Sequence, residues 1–213
     1  SPPAGNPVPE GKALPFADGH DWKLVYEDDF NRNRMGQDWI AYEPQAWYEG
    51  NSWHLEGDHL ASRASSYFEY LSYAKKLTPP LRIECDLTGA SDRTSLDGFT
   101  LTPRNQVGGR AIWGNVAGAG YMLALGWNPP RSNHLWRKEK ELQANKQGPF
   151  LEAGQTRHVI AQFTPERILL VVDGEVSLDF KDPDWIPGLD TFSLMNGFGR
   201  DWYDNIRIYQ AER

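Results

Sequence analysis

Apolar and polar residues alternate along most of this chain with a period of two, as in strands that bury one face. The clearest run is Leu81 to Leu87, with Leu81, Ile83, Cys85 and Leu87 on one face and Arg82, Glu84 and Asp86 on the other. Before it come Trp22 to Tyr26, which leads into Glu27-Asp28-Asp29-Phe30, then Asp38 to Ile40, Ala46 to Glu49, Ser52 to Glu56, His59 to Ser62 and Tyr67 to Ala74. Gly50-Asn51 and Gly57-Asp58 fall between such runs and suit two-residue hairpin turns. After it, Gly98 to Thr102 reads as a strand. Tyr121 to Trp127 puts Tyr121, Leu123, Leu125 and Trp127 on one face and the smaller Met122, Ala124 and Gly126 on the other. Asn133 to Lys138 resumes after a Pro-Pro break, and Lys138 to Lys146 reads as a short exposed helix or a charged hairpin. Arg157 to Thr164, Arg167 to Asp173 and Glu175 to Phe180 form a β-meander whose second turn, Asp173-Gly174, is a strong hairpin signal. Thr191 to Tyr209 reads as two strands joined by a glycine-containing turn, with Asp204 on the face of Ile206 and Ile208. A carboxylate in that place needs an ion pair, hydrogen bonds or a metal.

No long amphipathic helix and no internal repeat interrupts the pattern. Short runs at regular spacing, with turn signals between them, predict an all-β fold of two antiparallel sheets packed as a sandwich. The 213 residues suffice for one such domain, placed at 21–213. Residues 1–20 carry many Pro, Gly and Ala without periodicity and read as an extended arm. Residues 104–120 are glycine-rich and read as a long functional loop.

Charge and composition then narrow the partners. A formal net charge of -7 and a pI near 5.2 argue against nucleic acid, whose phosphates need a basic footprint. No stretch approaches the roughly 18 to 20 apolar residues that span a bilayer. No signal peptide is visible, and the Pro-rich opening fits a chain that begins after a removed signal, so a secreted or periplasmic location is expected. The single cysteine, Cys85, has no partner for an internal disulfide and reads as a small buried hydrophobe. The sequence does not indicate an oligomeric state. Nine tryptophans, within an aromatic content of 13%, make carbohydrate the expected partner, because flat rings stack on the apolar faces of pyranoses.

Arg157 to Phe163, Ile168 to Val176 and Tyr203 to Tyr209 together resemble the concanavalin A-like lectin/glucanase superfamily of laminin-G-like jelly rolls. The opening Leu24-Val25-Tyr26-Glu27-Asp28-Asp29-Phe30, with Trp39, is similar to the first strand of many bacterial members. The resemblance runs in strand order from 22 to 209. In general layout it extends to bacterial 3-keto-disaccharide hydrolase-like domains, without a catalytic motif that matches. It implies that the sandwich is a two-sheet antiparallel jelly roll. It implies no single activity, since the superfamily holds lectins, glycoside hydrolases, polysaccharide lyases and interaction modules. It also implies a structural calcium held between the last strand and the first, with Asp204, Asp28 and Asp29 as matching ligands beside Glu27. The metal-free alternative has Asp204 accepting bonds from a backbone turn or an arginine.

Three kinds of chemistry are open. Retaining glucanases of the superfamily carry Glu-x-Asp-x-x-Glu on one strand, which aligns nucleophile and acid/base on a common face. Here Glu84-Cys85-Asp86-Leu87-Thr88-Gly89 matches the first two acids and has glycine where the proton donor belongs. A lyase needs a His or Tyr base beside a group that neutralises a uronate. His54, His134, Tyr121, Arg110, Arg131 and Arg137 are available for this, and His134 shares a strand face with Trp136. The catalytic candidates are therefore His134, Tyr121, Arg137 and Glu84. Sugar binding needs exposed aromatics with polar neighbours, for which Trp47, Trp53, Trp113, Trp127 and Trp136 qualify, with Arg110 and Asn115 beside Trp113. Zinc is not indicated, because no pair of histidines has ligand spacing. The leading expectation is a jelly roll that binds or processes a poly- or oligosaccharide. The alternatives are a hydrolase or lyase with a non-standard site, and a laminin-G-like protein-interaction module, which predicts a flat apolar patch.

Overall fold

The computed structural model describes residues 18–42, 53–63, 68–89, 96–104, 106, 118–127, 131–197 and 199–211. Its first sheet has eight strands. They run in the order β13 (Glu175–Phe180), β12 (Ile168–Val172), β11 (Thr156–Phe163), β6 (Leu81–Gly89), β15 (Arg200–Ala211), β4 (His59–Arg63) and β3 (His54–Glu56), and β1 (Trp22–Asp28) pairs with β15 off this path. The second sheet has seven, in the order β10 (Lys140–Asn145), β9 (Ser132–Arg137), β8 (Tyr121–Trp127), β7 (Leu96–Thr102), β14 (Thr191–Gly197), β5 (Phe68–Tyr73) and β2 (Trp39–Tyr42). Each named pairing is antiparallel, and no helix occurs among the described residues. The chain passes back and forth between sheets, from β5 to β6, β6 to β7, β10 to β11, β13 to β14 and β14 to β15. Residues distant in sequence thus become neighbours across the sandwich.

Alternation in β6 and β11, and a short continuous apolar run in β12, are the reason these segments are strands. Leu81, Ile83, Cys85 and Leu87 of β6, Val159, Ala161 and Phe163 of β11, and Ile168, Leu170 and Val172 of β12 all enter one core. From the second sheet come Leu71, Phe99, Leu101, Tyr121, Leu123, Leu125, Leu135, Phe192 and Leu194. Removing each of the Val, Leu, Ile and Phe side chains among them from water stabilises the fold by about 1.5–3 kcal/mol. At one end the facing surfaces turn polar. Glu69, Asp97 and Asn196 on the second sheet and Ser62 and Asp201 on the first are all buried, and the Ser62 hydroxyl donates to Glu69 at 3.2 Å.

Two local expectations are decided here, for Lys138 to Lys146 and for Asp204. Lys138 to Lys146 is a charged hairpin, not a helix, because β9 and β10 pair directly across a turn in which Lys138 has φ of 52°. Residues 1–17 of the arm lie outside the described residues, but its end is fixed to the first sheet. There the Asp18 carboxylate accepts from the Trp22 indole at 2.9 Å and pairs with Arg82 at 2.8 Å. The Arg82 guanidinium also lies 4.4 Å over the Trp22 ring.

The expected position of Asp204 is corrected. Asp204 pairs with Asp86, but the next residue in register is Arg207, opposite Glu84, and Asn205 adopts φ of 50°. This bulge inserts one residue into the period of two. Tyr203 and Ile206 both point into the core, together with Ile208, while Asp204 turns outward toward His59, 3.7 Å away. The carboxylate does not sit among isoleucines.

Candidate functional site

The side chains best arranged for chemistry lie on the outer face of the second sheet, over β8, β9 and β10. Leu135 of β9 enters the core, so Ser132, His134 and Trp136 point away from it. In register, His134 lies between Ala124 of β8 and Ala144 of β10, and these two small residues leave room for the imidazole. Trp136 lies between Met122 and Glu141. A bulge in β10 puts Glu141 there. Counting back by twos from Ala144 would bring Leu142 to this face, but the register shift between Glu141 and Gln143 turns Leu142 toward the core and Glu141 outward.

From that position Glu141 reaches diagonally to His134. Its Oε2 lies 2.6 Å from His134 Nδ1, and on the other side of the ring Nε2 lies 2.6 Å from Ser132 Oγ. A carboxylate only accepts, so Nδ1–H donates to Glu141, and in that tautomer Nε2 is the atom left to accept from the serine hydroxyl. Ser132 and His134 are buried, Trp136 is half-buried, and the Glu141 side chain is 41% exposed. The group therefore opens to solvent at the end formed by Trp136 and Glu141. Ser132 and Glu141 were not singled out in the sequence. The Ser-x-His-x-Trp alternation was legible, but the role of Glu141 depends on the bulge.

The other catalytic candidates lie elsewhere. Tyr121 and Arg137 point to the inner side of the second sheet, where Asp182 joins them. Its carboxylate accepts from the Tyr121 hydroxyl at 2.6 Å and from the Arg137 guanidinium at 2.7 Å. Trp185 stacks on Tyr121 at 5.0 Å and closes this corner, so Tyr121 is a core residue and no candidate base. Arg137 also borders an open cleft of about 730 Å³ with Lys138, Lys140 and Asp184. Glu84 belongs to the opposite outer face, with Ile160 and Arg207 as its neighbours in register. Both sheets, stacked about 10 Å apart, lie between it and His134. Its strand-mate Asp86 accepts from Asn205 at 2.9 Å and pairs with His158 at 3.0 Å. Hydrogen bonding to Asp86, against the effect of burial, holds His158 above the usual histidine range.

Of the sugar-binding candidates, Trp53 is corrected: it is 5% exposed and packs in the core, its ring 5.8 Å from Tyr203. Trp47, Arg110, Trp113 and Asn115 lie outside the described residues, as does the side chain of Trp127. Trp136 is on the candidate face.

Among the described residues the metal candidates do not come together as a calcium site. Glu27, Asp28, Asp29 and Asn205 do line one crevice of about 450 Å³, but Arg32 and Arg207 line it too. Asp28 accepts from the Tyr26 hydroxyl (2.7 Å), the Phe30 amide (2.9 Å) and the Trp39 indole (3.0 Å), and pairs with Arg32. Those donors occupy the oxygens that a cation would need. Asp29 bonds to Asn31, and Asp204 to Asn205. Among the described residues no three carboxylates, histidines or cysteines are placed to hold a metal.

No protein-family model matches the sequence, and a search of curated proteins finds no similar sequence. Solved structures are similar in fold. The Emp47p carbohydrate recognition domain matches with a TM-score of 0.68 at 13% identity, over 89% of this chain and 98% of that one. The laminarinase from Rhodothermus marinus matches with a TM-score of 0.65 at 17% identity, over 91% and 99%. The VIP36 exoplasmic/lumenal domain, in a form bound to Ca²⁺ and mannose, matches with a TM-score of 0.66 at 11% identity, over 90% and 93%. In strand order and in these likenesses the chain has the concanavalin A-like jelly-roll fold.

Proposed function

We propose that this jelly roll engages carbohydrate on the outer face of its second sheet, at the end of β9 and β10 where Trp136 and Glu141 reach solvent. The observation that carries the reading is the convergence there of a half-buried indole, Trp136, with a hydrogen-bonded His134–Glu141 pair. An aromatic ring beside fixed polar groups is what a pyranose needs, one face to stack on and hydroxyls to bond. The similarity in fold to lectins and glucanases supports the same reading. Binding fits better than retaining hydrolysis. The outer-face positions described on β5, β7, β8 and β14 are Phe68, Tyr70, Ser72, Gly98, Thr100, Thr102, Met122, Ala124, Gly126, Thr191, Ser193, Met195 and Gly197. The paired carboxylates of that mechanism are not among them. A protein-interaction surface has less support, because among the described residues the exposed large hydrophobics Leu24, Val25, Ile40 and Val176 are dispersed over β1, β2 and β13.

Affinity electrophoresis and calorimetry against a broad set of oligo- and polysaccharides test the proposal. A retained ligand is expected, and Trp136→Ala should weaken it about tenfold or more, as loss of a stacking anchor does. No retention by any saccharide would refute the reading. It also carries a secreted or periplasmic location with it, since that is where polysaccharides are met, and cell fractionation tests this. Calcium has no part in the proposal, because Arg32 already neutralises Asp28. EDTA should leave the melting temperature unchanged, and a drop of several degrees would reinstate a metal.

A further inference from the structure

We infer that Ser132, His134 and Glu141 form an acyl-transfer site, and that its substrate is a carbohydrate carrying an O-acyl ester. The substrate class rests on the carbohydrate reading above; the catalytic arrangement stands on geometry alone. Three atoms matter. The Ser132 hydroxyl is bonded to Nε2 of a histidine at 2.6 Å, and Nδ1 of the same ring is bonded to a carboxylate at 2.6 Å. A nucleophile within hydrogen-bond reach of a base, and the base oriented by an acid on its other nitrogen, is the arrangement that activates a serine. The fold holds it rigidly. Serine and histidine are two apart on one strand, so both side chains leave the same face. Ala124 and Ala144 flank the imidazole, and the β10 bulge turns Glu141 to it.

An activated serine suits a carbonyl carbon; the retaining glycosidases of this fold place a carboxylate where the glycosidic carbon is attacked. Trp136 lies on the same face, one pair beyond His134 and two pairs beyond Ser132. The bond assigned to the site is therefore an ester joining an acyl group to a hydroxyl of a saccharide stacked on Trp136, with the acyl group entering past His134 to the buried Ser132. Ser132 Oγ attacks the carbonyl carbon and its proton passes to His134 Nε2. The bond from that carbon to the sugar oxygen breaks, and the sugar oxygen takes the proton from Nε2. Water then attacks the acyl-serine, giving a proton to Nε2. The acyl carbon–Oγ bond breaks, the carboxylic acid leaves, and Oγ recovers its proton from Nε2. The sum is ester plus water giving acid plus free hydroxyl. Glu141 stays ionised and acts as a positioning residue.

The test uses the full chain with three probes: 4-nitrophenyl acetate, acetylated xylan, and a fluorophosphonate read by peptide mass spectrometry. Covalent labelling of Ser132 is expected, with acetate release that falls about a thousandfold or more in Ser132→Ala and His134→Gln. Glu141→Gln should lower kcat by roughly a hundredfold or more at similar KM, and Glu141→Asp should recover part of it. A merely structural carboxylate would show no such split. Failure of wild-type protein to label on Ser132 and to release acetate from either ester would overturn the site, as would unchanged release by Ser132→Ala. Binding of Ser132→Ala to deacetylated xylan and mannan separates the two readings. Retention without ester hydrolysis by the wild type sinks the acyl-transfer site alone. Hydrolysis of 4-nitrophenyl acetate without any saccharide retained supports the site and overturns its carbohydrate substrate.

Discussion

Asp204 sits where its charge is disfavoured. Burial, reinforced by the carboxylates of Asp86 and Asp29 and partly offset by the Asn205 amide and His59, pushes its carboxyl up to about 6. In an unfolded chain an aspartate titrates near about 3.9. Between those values the folded protein binds the extra proton, so the stabilisation is fully present below about 4 and is lost as the pH rises through about 6. Asp204→Asn should therefore raise stability at pH 7 by roughly 1–2 kcal/mol and flatten the decline between about pH 4 and 6. Thermal unfolding across that range measures it, and an unchanged melting temperature at pH 7 would show that the carboxylate is fully compensated. Asp28 is the opposite case. Burial opposes its charge, yet Arg32, Tyr26, the Phe30 amide and Trp39 together hold its carboxyl below the ordinary range. The environment of Asp28 was not legible in the acidic run Glu27-Asp28-Asp29, because Arg32 comes from a loop and Trp39 from β2.

Among the elements, strands were legible and their irregularities were not. β6 and β11 follow alternations that the residues state directly, while β8 and β12 are continuous apolar runs between turn signals, as strands buried on both faces are. The bulges in β10 and β15 carry no such mark: one extra residue leaves composition unchanged while turning every later side chain over. That is why Asp204 was expected inside and Glu141 was overlooked. The turn between β9 and β10 offers a direct test. Lys138 holds φ of 52°, a conformation that disfavours a β-carbon. Lys138→Gly should raise stability by about 0.5–1 kcal/mol, because the strain relieved outweighs the entropy glycine brings to the unfolded chain. Urea unfolding at a fixed m-value reads the difference, and a loss of stability would mean the lysine side chain makes contacts that matter more than the strain.

For the whole molecule, the sandwich acts as a partition. Its two outer faces are chemically independent, with Asp86, His158 and Asp204 on the first and Ser132, His134 and Glu141 on the second. Glu84→Gln should thus leave saccharide affinity within about twofold of the parent, since changes at distant sites that share no partner do not couple. A large loss in the same calorimetric titration would place the ligand on the first sheet instead. The sequence by itself determined the all-β class, the strands and the inward side chains, because a period of two and a need to bury apolar area act locally. It also singled out His134 and Trp136, which share a strand. Only the tertiary structure decided that Tyr121 and Arg137 meet Asp182 on the inner side, that Glu84 lies across the sandwich, and that Glu141 meets His134. Those choices depend on which strands pair, on the register between them, and on bulges, and all three are settled only when distant segments pack together.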